Sequence, residues 1–144
     1  MLQLRGAAHE AVEQYQQALA LRSGDATVEN ALGGALLASH RIPEAVAHLT
    51  AAVNARPEYF DARYNLGIAQ AIAGNFPAAA QELTAAVKLK PDDAGAEANL
   101  GAAFAELGET QKAVMHLNRA LQLDPGNELA KENLEALRGT SSQP

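Results

Sequence analysis

Four histidines, two adjacent aspartates and a scatter of glycines are the residues of this 144-residue chain whose types could support catalysis or ligand binding. The histidines are His9, His40, His48 and His116, and none stands in a His-x-x-x-His or His-Glu-x-x-His pair. Such a pair would set two imidazoles on one helical face at metal-binding distance. His48 and His116 are therefore expected to be solvated surface residues. Asp92-Asp93 could be a carboxylate pair, but it follows Pro91 at a point where acids cap a helix and meet its positive end. Gly33-Gly34 is not followed by Lys-Ser or Lys-Thr, so it is no phosphate cradle. The absence of cysteine removes disulfides, thiolate nucleophiles and zinc-thiolate sites. These residues predict no catalytic site, no cofactor and no bound metal, and hence a chain that is not an enzyme.

The elements that would position a site are more informative. Pro57, Pro91 and Pro125 recur 34 residues apart. Each closes a unit with the same landmarks: Leu32-Gly33, Leu66-Gly67 and Leu100-Gly101 near the start, then Ala45, Ala79 and Ala113. Leucines follow at Leu49, Leu83 and Leu117, and small residues at Ala52, Ala86 and Ala120. The register defines three complete units, 26–59, 60–93 and 94–127. Within each, apolar residues recur at helical spacing in two segments, and no stretch shows strict alternation. The fold class is all-α. Helix cores are expected at 9–21, 27–38, 43–55, 60–72, 77–89, 94–106 and 111–123, with a shorter cap at 128–138. Glycine on the first helix and alanine on the second would let the pair approach closely and antiparallel.

Helix ends are marked as well. Asp25, Asp93 and Asn127 are placed as N-caps, Gly6, Gly74 and Gly108 suit the left-handed turn after a first helix, and Pro43 and Pro77 fall in first turns. Tyr59 at one cap and His40 at one turn lack these features, and looser ends are expected there.

The period of 34 with x-x-L-G-x-x-x, A-x-x-x-L and a closing proline resembles the tetratricopeptide repeat family. Glu29, Arg63 and Glu97 stand where that family often has tryptophan, and Leu36, Gln70 and Phe104 where it often has tyrosine. The resemblance implies a right-handed solenoid of antiparallel helix pairs that buries its core between neighbours. In this register residues 1–25 are a partial repeat, mostly its second helix, with Ala11, Tyr15 and Ala18 at the landmarks. Residues 128–138 form a capping helix with Leu129, Leu134 and Leu137 inward, and 139–144 a frayed tail.

The resemblance also implies where a partner would bind, since first helices line the concave groove that holds extended peptides. By register the groove residues are Thr27, Asn30, Gly34 and Leu37; Asp61, Tyr64, Asn65, Ile68 and Ile72; Gly95, Ala98, Asn99, Ala102 and Glu106; and Glu132 and Asn133. Asn65, Asn99 and Asn133 share one position, immediately before the leucine. An asparagine both donates and accepts, so such a ladder can hold a peptide backbone without reading its side chains. The phrase Ala-x-x-Asn-Leu-Gly, at 62–67 and 96–101, is similar to the repeats of the O-linked N-acetylglucosamine transferase superhelix. Another branch of the family grips chaperone C-termini through groove lysines and arginines. The matching positions here, Asn30, Tyr64 and Ala98 with Thr27, Asp61 and Gly95, hold no basic residue.

The function expected is a non-catalytic scaffold that binds a protein or peptide segment in this groove. With Glu29, Asp61, Glu97, Glu106 and Glu132 on first-helix segments, the partner is expected to be neutral or basic and to carry apolar side chains. A net charge of −6 argues against nucleic acid, which requires a positive footprint. No run of 18 apolar residues occurs, so no membrane span is expected, and without a signal-like N-terminus the expected location is cytoplasmic. Two alternatives are self-association through Val12, Tyr15 and Leu19 of the N-terminal helix, and service as a targeting segment of a larger enzyme.

Overall fold

The computed structural model of the chain describes residues 2–141, and side chains from residue 5 onward. Among the described residues there are eight helices and no strand. They are α1 (Leu2–Leu21), α2 (Ala26–Ala38), α3 (Ile42–Ala55), α4 (Phe60–Ile72), α5 (Phe76–Leu89), α6 (Ala94–Glu106), α7 (Thr110–Leu123) and α8 (Glu128–Ser141). They form two compact units, Met1–Gly74 with α1 to α4 and Asn75–Pro144 with α5 to α8.

Local signals explain most boundaries. Asp25 accepts hydrogen bonds from the amides of Thr27 and Val28, Asp93 from Ala96, and Asn127 from Ala130, so each quenches amides that a helix start leaves without partners. Asn75 does the same for α5 through Ala78. Pro43 and Pro77 lie in the first turns of α3 and α5. Tyr59 makes no side-chain cap bond.

After first helices, Gly74 and Gly108 take φ of 80° and 75°, and His40 adopts the same left-handed conformation at 58°. The His40 turn is hydrogen-bonded like the Gly108 turn: His40 N donates to Leu37 O and Arg41 N to Leu36 O, as Gly108 N does to Ala105 O and Glu109 N to Phe104 O. The expected looseness is thus absent from the backbone bonding, and the departure is conformational. A side chain in this region costs roughly 1 kcal/mol that glycine does not incur, so His40→Gly should raise stability by about 0.5 to 1 kcal/mol in urea unfolding. An unchanged midpoint would show that the histidine is at ease in the turn.

Two expectations at the ends need correction. Gly6 does not form a turn, because α1 runs unbroken from Leu2 to Leu21; nothing in Leu2 to Ala8 caps or breaks a helix, and one interior glycine costs only about 1 kcal/mol. Nor are Gly139 to Ser141 frayed. They continue α8, with the hydroxyls of Thr140 and Ser141 bonding back to Leu137 O. Residues 142–144 lie outside the described residues.

In the first unit Val12, Leu32, Leu36, Leu49, Val53 and Leu66 form the core with Ala45, Ala52, Ala62 and Ala69. In the second, Ala98, Ala113, Leu117, Ala120, Ala130 and Leu134 do so, with Leu129 and Leu137 packed against them. The inward α8 leucines match expectation. Contacts between α6 and α7 run antiparallel, since Phe104 meets Lys112 and His116 while Glu97 reaches His116 from the other end. The expected alanine borders the notch at Gly101, where the Ala113 carbonyl oxygen lies 3.1 Å from an added Cβ, but a leucine makes the closest contact at both Gly33 and Gly101. A Cβ on Gly33 would stand 2.5 Å from Leu49 Cγ, and one on Gly101 would stand 2.6 Å from Leu117 Cγ, so the leucine four residues after the alanine fills each glycine notch.

Candidate functional site

First-helix residues were the expected site, and within each unit their surroundings can be followed. On α2 and α4 of the first unit, Asn30, Leu37, Tyr64, Asn65 and Ile68 are half-buried, Asp61 is exposed, and Ile72 is 58% exposed. Leu37 packs on the core of its own unit, which leaves Ile68 and Ile72 as the apolar residues most open to a partner. Tyr64 stacks on Phe60 one turn earlier in α4, with ring centroids 5.7 Å apart.

The amides of this unit are joined. Asn65 Nδ2 donates to Asn30 Oδ1 at 3.0 Å, and Asn30 Nδ2 donates to the Tyr59 hydroxyl at 3.4 Å. Tyr59 lies beneath the Arg56 guanidinium, 4.6 Å from its ring centroid, and Arg56 Nη2 donates to Thr27 Oγ1. Arg56 and Tyr59 were absent from the sequence reading of the site. Their one signal was an aromatic residue at a helix start where a polar cap is usual.

In the second unit Asn99 and Asn133 are half-buried, while Glu106 and Glu132 are exposed. Each asparagine bonds back to its own helix: Asn99 Nδ2 to Gly95 O at 2.8 Å, and Asn133 Nδ2 to Leu129 O at 2.9 Å. Ala98, expected in the groove, is fully buried and belongs to the core.

The acidic character expected of the first-helix face is also reduced. Glu29 and Glu97 point toward second helices, where Glu29 Oε2 meets His48 Nδ1 at 2.7 Å and Glu97 Oε2 meets His116 Nδ1 at 2.6 Å. Asp61, Glu106 and Glu132 remain as the exposed acids. His48 and His116 are therefore interhelix partners, contrary to the solvated role expected of them. Glu29 and Glu97 stand at the positions where the family this sequence resembles often has tryptophan, and each carboxylate meets an imidazole of the facing helix. His116 is further stacked on Phe104, with centroids 5.5 Å apart.

The residues proposed for self-association are used internally. Val12 is buried in the first unit's core, with Tyr15 and Leu19 packed against it. Among the described residues no group of three or more histidine, cysteine, aspartate or glutamate side chains could hold a metal ion, and no helix is long and apolar enough to cross a membrane.

Comparison with known proteins bears on the whole chain. No curated protein matches it. Among solved structures it is similar to MamA, at 22% identity and a TM-score of 0.88, covering 94% of this chain and 80% of that one. It is similar to YrrB, described as a tetratricopeptide repeat protein with an unusual peptide-binding site, at 24% identity and a TM-score of 0.82, covering 90% of this chain and 67% of that one. It also resembles the first tetratricopeptide domain of Spaghetti (RPAP3) bound to an HSP90 peptide, at 24% identity and a TM-score of 0.77, covering 82% and 94%. At these identities the likeness is one of fold. The family model described as tetratricopeptide repeat matches residues 30–94 and 73–128, more than half of the chain. With eight helices among the described residues, glycine–leucine notches and this match together, the chain belongs to the tetratricopeptide repeat family.

Proposed function

We propose that the chain is a non-catalytic protein-interaction scaffold that binds an extended peptide or partner segment along its first-helix faces. The observation that carries this reading is the recurrence of a partly accessible asparagine at one register position, Asn65, Asn99 and Asn133, on helices that present apolar and acidic neighbours. On the first unit's face Leu37, Asp61, Tyr64, Ile68 and Ile72 join Asn65, against which Asn30 is held; on the second unit's face Glu106 joins Asn99 and Asn133. Asparagines supply backbone recognition, while Ile68 and Ile72 offer contact to apolar side chains. Asp61, Glu106 and Glu132 favour a neutral or basic segment over an acidic one. The lack of a basic residue at Asn30, Tyr64, Thr27 and Asp61 distinguishes this face from one suited to a peptide carboxylate.

A fluorescein-labelled alanine–lysine dodecapeptide, followed by anisotropy, is a suitable probe because it supplies backbone amides and positive charge. Replacing Asn65 and Asn99 together by alanine should weaken its binding about tenfold, equivalent to one or two lost amide pairs, with little change in helicity. A fall in stability with unchanged binding would instead assign these amides to holding helices together.

A further inference from the structure

Within the first unit the side chain best placed to meet a peptide is already held by another. Asn65 Nδ2 donates to Asn30 Oδ1 at 3.0 Å, and Asn30 is itself anchored through Nδ2 to the Tyr59 hydroxyl. Tyr59 is fixed in turn by Arg56 over its ring, and Arg56 by Thr27. Both polar ends of Asn30 are thus engaged inside the protein. We propose that Asn30 is a built-in competitor for the Asn65 amide, so that a peptide reaching this site must first displace an internal hydrogen bond. This rests on the peptide-binding reading above and assigns that site a self-restrained free state.

The register sharpens the point. The residue equivalent to Asn65 in the preceding first helix is Ala31, which has no polar group to offer. The bond comes instead from the neighbouring position, and the chain from Thr27 to Asn65 holds it there. Asn133 differs, since its amide donates to Leu129 O of its own helix. That carbonyl is part of the helix ladder and keeps its place whether or not a peptide is present. Asn30 is a side chain that can rotate away. Exchange of one amide pair for another is nearly balanced in energy, because the net contribution of a typical intramolecular hydrogen bond is small. Removing the internal partner should therefore act directly on affinity.

The test is a double-mutant cycle with the alanine–lysine dodecapeptide as probe. Asn30→Ala should tighten binding about threefold to tenfold, Asn65→Ala should weaken it, and the double variant should bind like Asn65→Ala alone. Circular dichroism checks that each variant folds. Should Asn30→Ala fail to fold, Tyr59→Phe removes the anchor of Asn30 while leaving both amides, and should tighten binding by a smaller factor. Weakened binding by Asn65→Ala with no gain from Asn30→Ala or Tyr59→Phe overturns the competitor and leaves the peptide-binding reading standing. If neither asparagine affects affinity, or if no variant including Asn30→Ala binds the probe, both fall.

Discussion

Replacing Gly33 by alanine should lower stability by about 1 kcal/mol, while the same change one residue later, Gly34→Ala, should raise it by about 1 kcal/mol. Both glycines lie inside α2, and alanine improves the intrinsic helix tendency at each by about 1 kcal/mol. At Gly34 nothing lies within 4 Å of the added Cβ, so that gain is kept. At Gly33 the methyl would stand 2.5 Å from Leu49 Cγ and 2.6 Å from Leu49 Cδ2. Leu49 is fully buried within the first unit's core, and protein interiors are close-packed, which leaves a displaced side chain little room. Overpacking of this kind typically costs about 1 to 3 kcal/mol, which outweighs the helical gain. Gly101→Ala should behave like Gly33→Ala or worse, because the new methyl meets Leu117 and also the Ala113 carbonyl oxygen at 3.1 Å. Backbone cannot rotate aside. Urea unfolding of the three variants checks the pattern, and equal shifts at Gly33 and Gly34 would refute the notch.

Where a feature depends on neighbours in sequence, it was legible. Asp25, Asp93 and Asn127 announce helix starts because a cap acts over two or three residues, and Gly74 and Gly108 announce turns because only their own φ is at issue. The repeated glycine also identified close packing, since a side chain missing from the same place in every unit implies a neighbour there. Its partner was identified only in part, for a geometric reason: the alanine and the leucine share one face of the second helix, and period alone does not say that the leucine fills the notch while the alanine borders it at Gly101. Gly6 shows the opposite failure. Its register suggests a turn, but a turn requires a preceding stretch that ends, and Leu2 to Arg5 simply continue the helix.

The candidate site was legible as positions and not as bonds. Register placed Asn65, Asn99 and Asn133 on first helices, yet it could not show that Asn65 would bond to Asn30, which sits one residue out of step. Likewise Glu29 and Glu97 were counted toward an acidic first-helix side because they lie on first helices. Residues two positions apart on a helix point about 200° apart, so Glu97 is buried toward α7 while Asn99 stays partly open. The signal for these buried pairs was present. Glu29 and His48, and again Glu97 and His116, stand 19 residues apart in equivalent places, and a polar residue substituted for a large aromatic calls for a polar partner on the facing helix.

That partnership sets the expectation for His116→Ala, which should destabilise the protein by about 2 to 3 kcal/mol. Glu97 retains only 7% of its side-chain exposure and His116 19%, against 12% and 33% for Glu29 and His48. Deleting the imidazole leaves Glu97 Oε2 without the bond it makes at 2.6 Å, and a buried acceptor stripped of its partner loses about 1 to 3 kcal/mol, more when charged. The stack on Phe104 is lost with it, adding roughly 0.5 to 1.5 kcal/mol. His48→Ala should cost less, because water can reach Glu29 more readily and replace the donor. The double variant Glu97→Ala with His116→Ala should be less harmful than the sum of the two single changes, since it removes acceptor and donor together. Thermal and urea unfolding of the cycle measures this coupling, and strictly additive losses would mean that the carboxylate and the imidazole are each held by something other than one another.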